Sequence, residues 1–85
     1  MKSFHLEIAA PDGMRFSGEA EQLSVRSIDG ELSILAGHVP YVTALATGEC
    51  RVYADGELRR AEASGGFLTV TAEAVRLLSA DFTWK

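Results

Sequence analysis

The sequence predicts an all-β fold, a sandwich or small barrel of short strands. Three observations carry this. Apolar and polar residues alternate with a period of two through most of the chain. Gly, Pro and Asp-Gly breaks recur at the spacing of hairpin-connected strands. No segment holds a helical period for long: the best candidates, "YVTALATG" and "LRRAEASG", are short and run into glycine, and isolated helices of that length are marginal.

In chain order, Phe4, Leu6 and Ile8 share one face of a first strand, with His5 and Glu7 opposite. The turn "PDG" follows at Pro11 to Gly13, and Met14 and Phe16 begin a second strand. Leu23 and Val25 oppose Gln22, Ser24 and Arg26. After Asp29-Gly30, Leu32 and Ile34 alternate with Glu31 and Ser33. Cys50, Val52 and Ala54 alternate with Arg51 and Tyr53 up to Asp55-Gly56. Beyond Gly65-Gly66, Leu68 and Val70 oppose Thr69 and Thr71, and Val75 and Leu77 complete the pattern. Asp-Gly suits tight hairpins because Gly accepts a positive φ and Asp tolerates one. The expected core is Phe4, Leu6, Ile8, Phe16, Val25, Leu32, Ile34, Val52, Leu68, Val70 and Leu77, while Phe67 faces either the core or a partner. One domain is expected over residues 1–80, with a tail, "DFTWK", over 81–85.

Eighty-five residues suit one small domain. Eight basic against twelve acidic residues give a net charge of −4, and no basic cluster exceeds Arg59-Arg60. A nucleic-acid binder concentrates positive charge on one face, so that class is set aside. No apolar run approaches the ~18 residues of a spanning helix, so no direct membrane insertion is expected. The alternating start is not a signal peptide. A single cysteine excludes an internal disulfide, and Cys50 reads as a buried small hydrophobe.

Catalytic chemistry is absent from the pattern. His5 reads as a half-exposed strand residue that hydrogen-bonds across the sheet. Two histidines, one cysteine and scattered acids show no metal-ligand spacing. No G-x-S-x-G elbow places a serine nucleophile beside His38. "SGGF", from Ser64, lacks the lysine and helix of a phosphate loop and reads as a place where backbones approach closely. Glu19 and Glu21 share a face as acids on solvated strands do. No catalytic, metal or nucleotide-binding residue and no cofactor is expected.

The loops carry a resemblance. "FHLEIAAPDGMRFSGEAEQLSVRSIDGELSILAGHVPYVTAL", then "GECRV" and "SGGFLTVTAEAVRLL", follow the order and spacing of the epsilon subunit of F-type ATP synthase, called delta in mitochondria. The chain resembles that family over roughly residues 4–80. The resemblance implies a flattened β-sandwich of two mostly antiparallel sheets with about ten short strands. It also implies a non-catalytic rotor subunit of the central stalk in a proton- or sodium-translocating enzyme. Such a subunit docks the gamma subunit to the c-ring, on the cytoplasmic face of the bacterial inner membrane, as a peripheral part of the F1 sector. Ala36 stands where the family commonly has proline, Ser33 where it has glycine, and Tyr41 where leucine is frequent. The sequence ends at Lys85 without the family's C-terminal helical hairpin, so neither a hairpin brake on ATP hydrolysis nor specific ATP binding is expected.

On this reading, "GELSILAGHVP" is a docking segment. The c-ring-facing residues are Glu31, Gly37, His38, Val39 and Pro40, and the gamma-facing ones Tyr41 and Phe67. Pro40 pushes Val39 toward an extended backbone. Glu31 matches the family's acidic position and is expected to pair with basic or amide groups of the ring. Two other classes remain open on the residues alone: a generic β-sandwich interaction module of another complex, and a small-ligand barrel, which needs a concave apolar pocket with convergent polar groups.

Overall fold

The alternation folds as strands throughout. The structure, a computed structural model, describes residues 2–37 and 39–85, and these hold ten strands. They are β1 (Phe4–Ala10), β2 (Gly13–Ala20), β3 (Gln22–Ser27), β4 (Gly30–Leu35), β5 (Tyr41–Ala44), β6 (Gly48–Ala54), β7 (Glu57–Ser64), β8 (Phe67–Val70), β9 (Val75–Leu78) and β10 (Asp81–Trp84). The first sheet has the order β2-β1-β9-β8-β5, the second β10-β7-β6-β3-β4. Every pair is antiparallel except β1 with β9. Both helical candidates are strands, β5 and β7. This is the two-sheet sandwich and not a closed barrel.

The turns work as their residues dictate. Asp55 (φ 54°) and Gly56 (φ 75°) both take positive φ, the pair of angles that a two-residue type I′ hairpin between β6 and β7 demands. Gly66 answers the "SGGF" question: a Cβ there would overlap the Leu78 carbonyl, so the missing side chain is what lets the chain pass β9.

Side chains of the two inner faces form the core. Phe4, Leu6, Ile8, Val25, Ile34, Val52, Leu68, Val70 and Leu77 are buried as expected, joined by Leu23, Leu45, Cys50, Val75, Phe82 and small alanines. Phe16 and Leu32 only partly cover themselves, although both pack against the core. They lie on β2 and β4, the edge strands, where no further strand closes over them. Met14 does not share a face with Phe16. The register slips between Ile8 and Ala9, pairing Ile8 with Phe16 but Ala9 with Met14, so Met14 turns outward and is exposed.

The expected tail is corrected. Residues 81–84 form β10, paired with β7 from Asp81↔Ser64 to Trp84↔Ala61. Phe82 is buried, and Trp84 packs edge-on against it with ring centroids 5.0 Å apart. The alternation of "DFTW" was a strand signal, and the open edge of β7 supplies its partner.

Candidate docking surfaces

Outward-facing strand positions supply the first surface. On the first sheet, register aligns Ala44 with Phe67, Phe67 with Leu78, Leu78 with Ala9 and Ala9 with Met14. This apolar row crosses all five strands, roughly 19 Å at the usual strand spacing. Met14, Phe67 and Leu78 are each more than half exposed. The next row is Val42, Thr69, Arg76, Glu7 and Ser17. There Arg76 Nε donates to Glu7 Oε1 at 3.1 Å, and His5 Nε2 lies 3.1 Å from Glu7 Oε2. These two bonds, that of His5 first, hold the Glu7 carboxyl below its ordinary range. His5 Nδ1 also sits 3.5 Å from Glu19 Oε2. His5 is the half-exposed strand residue that was expected, but its hydrogen bond runs along β1 to Glu7, and across the sheet it only stands near Glu19.

The outer face of the second sheet is charged. Arg51 Nη2 donates to Glu31 Oε1 at 2.7 Å, and Arg26 Nη1 lies 3.9 Å from Glu31 Oε2. Arg51 continues to Glu49 at 3.8 Å, and Lys85 reaches both Glu49 (3.3 Å) and Glu62 (3.2 Å). Hydrogen bonds to Glu62 and then Glu49 raise the Lys85 pKa. Glu31 is exposed, but it is held by the chain's own arginines.

The third surface is an apolar groove of about 400 Å³ between the β4 and β5 edges, with Leu32, Leu35, Ala36, Gly37, Val39 and Tyr41 in its wall. Val39 is 75% exposed, and Gly37 takes φ 84° at the end of β4.

The structure therefore separates the residues that the sequence reading grouped. Gly37, Val39 and Pro40 follow one end of β4, and Glu31 sits at the other, with about 13 Å of extended strand between Glu31 and Leu35. Tyr41 pairs with inward-facing Val70 and borders the groove, whereas Phe67 belongs to the apolar row. His38 lies outside the described residues. Sequence reasoning missed Met14, Leu78, Ala9 and Ala44. Their signal was adjacent apolar pairs, such as Leu77-Leu78 and Ile8-Ala9, which break the alternation on the side meant for water. Among the described residues no group of three or more His, Cys, Asp or Glu could hold a metal, and no helix is long and apolar enough to cross a membrane.

A family model described as ATP synthase, Delta/Epsilon chain, beta-sandwich domain matches residues 3–85. The ATP synthase epsilon chain of Caldicellulosiruptor saccharolyticus is 39% identical over 84 residues, covering 99% of this chain and 61% of that relative. The epsilon chain of Bacillus velezensis is 40% identical over 79 residues, covering 93% and 60%. The chain thus spans about three fifths of the length of these curated relatives. Among solved structures, a chain of the Euglena gracilis mitochondrial ATP synthase (OSCP/F1/c-ring) superposes with a TM-score of 0.88 at 26% identity, covering 96% of this chain and 53% of that one. A chain of the Tetrahymena thermophila mitochondrial ATP synthase central stalk and c-ring shares the fold, with a TM-score of 0.83 at 12% identity over 95% of this chain and 66% of that one. With the family's sandwich matched from residue 3 to residue 85, this chain belongs to the ATP synthase delta/epsilon family.

Proposed function

We propose that this sandwich is a non-catalytic part of the rotor of an F-type ATP synthase, a central-stalk element that joins the gamma subunit to the c-ring. Its place is peripheral, in the F1 sector at the cytoplasmic face of a bacterial inner membrane. The observation that carries the reading is the apolar row Ala44–Phe67–Leu78–Ala9–Met14. Sheet faces turned to water carry polar side chains, and a contiguous apolar stripe on a rigid sheet marks a protein interface. We assign this face to gamma, with Phe67, the row's one aromatic side chain, beside central Leu78. The c-ring assignment stays with the loop 37–40 or with the Glu31 end of β4, which are now two separate candidates. Membership of the family and the c-ring and central-stalk settings of the structural neighbours support both partners.

Purified gamma and c-ring captured on wild type, Phe67→Lys and Glu31→Lys test this. Phe67→Lys is expected to weaken gamma capture by at least about tenfold, because a charge within an apolar interface must be desolvated without a partner. Equal capture of gamma by the wild type and Phe67→Lys removes the row from the interface. Failure of the wild type to bind gamma leaves a sandwich module of another complex.

A further inference from the structure

The outer face of the first sheet is not flat. Where β1 and β9 end, the chain leaves a hollow of about 310 Å³, open to solvent and walled by Ala9, Ala10, Pro11, Leu78 and Ala80. Leu78 and Ala9 are also neighbours in the apolar row, and β9 is the central strand of its sheet. The hollow therefore opens beside the middle of the row.

Small side chains make the hollow. Three of its walls are alanines, and Gly66 lines it with backbone alone. The wall is firm: Gly66 packs so close to β9 that a Cβ would overlap the Leu78 carbonyl, and the Pro11 ring fixes its own φ. The polar groups at its base are spent inside the protein. The Ser79 amide donates to the Ala9 carbonyl at 3.0 Å, and the Gly66 carbonyl accepts from the Leu45 amide at 3.0 Å. Ser79 Oγ lies 2.7 Å from the Asp81 carbonyl oxygen and 3.1 Å from that of Ser64. A pocket for a small polar ligand aims polar groups at its occupant, and these are aimed elsewhere. The hollow fits an apolar group.

We propose that this hollow is a socket for one bulky apolar side chain of the subunit that covers the row, an inference that rests on the assignment of the row to gamma. The row and the hollow share Leu78 and Ala9, so a partner seated on one lies over the other. Left empty under that partner, the hollow would be a void whose walls lose their contacts. Apolar attraction is non-directional, so a row of apolar side chains sets how much surface is covered and not where along the row the partner sits. A hole accepts a side chain at one place only. With exposed Phe67 one strand away on β8, the face offers both a ring to be received and a hole to be filled. Anchors in preformed pockets near the middle of an interface carry most of its binding energy. The socket thus fixes the register of the partner on the sandwich, as a joint that transmits rotation requires.

Purified gamma is the probe, titrated into the ¹⁵N-labelled protein and captured on variants. Expected are shifted amides at Ala10, Gly66 and Ala80 as well as at Phe67 and Leu78. Ala80→Leu and Ala10→Leu fill the hollow and should weaken capture at least about tenfold, although both make the face more apolar. Ala80→Ser, nearly the same size, should stay within about twofold of the wild type. Ala80 is exposed and Ala10 only partly buried, so both leucine variants should fold, and their denaturation midpoints check this. Gamma that binds either leucine variant as tightly as the wild type, or that shifts Phe67 without shifting Ala10, Gly66 and Ala80, overturns the socket and leaves the gamma assignment standing. Failure of the wild type to bind gamma overturns both. Self-association of the wild type that Ala80→Leu abolishes overturns the proposal in favour of a second copy.

Discussion

Cys50 lies on β6 between the sheets, 1% exposed, and burial, helped by Glu49, pushes its thiol up to about 12. A thiol in the unfolded chain ionises near pH 8.5. The stability tied to Cys50 is therefore intact below about pH 8.5 and is lost as pH rises toward 12, by at most about 1.4 kcal/mol per pH unit. Denaturation at stepped alkaline pH should show this slope, and a Cys50→Ala variant should flatten it. In the native state at neutral pH a disulfide reagent should find the thiol only through unfolding; immediate reaction would place Cys50 at the surface. Leu6 is fully buried on β1. Leu6→Ala should cost about 2–4 kcal/mol in chemical denaturation. Both positions were legible as strand residues on an apolar face. Glu31 was legible as exposed but not as engaged, because Arg51 is twenty positions away and meets it only across β3.

At the scale of the element, β10 and the turn before β8 carry the sharper consequences. Trp84 joins the second sheet to β2 through its ring contacts and its bond to Arg15. Trp84→Ala should cost about 2–3 kcal/mol, less than a fully buried tryptophan because the side chain is only partly buried. Trp84→Phe should recover part of that loss, and equal midpoints for all three proteins would mean that β10 is not part of the cooperative unit. Gly66→Ala must displace the Leu78 carbonyl and adopt a φ near 102°. It should destabilise by more than about 2 kcal/mol, or fail to fold, whereas Gly56→Ala meets open space and pays only the cost of positive φ. The glycines were visible as breaks; which one is crowded depends on β9 passing behind it.

For the molecule as a whole, the ion pairs on the second sheet are exposed, and exposed pairs contribute little. Glu31→Lys should therefore change the unfolding free energy by under about 1 kcal/mol, most visibly at low salt, even though it sets a third cation beside Arg26 and Arg51. A larger loss would show the ladder to be cooperative. The sequence by itself determined the all-β class, most of the turns, the inward faces of β1, β3, β4, β6, β8 and β9, and the family, because alternation and turn chemistry are local and are read within a few residues. Only the tertiary structure decided that Ala44, Phe67, Leu78, Ala9 and Met14 form one row, that Glu31 and the loop after β4 lie apart, that residues 81–84 close one edge and that β4 leaves the other open. Each of these depends on register between strands distant in the chain. Inter-strand hydrogen bonds and the fit of the core fix that register, and no local pattern encodes it.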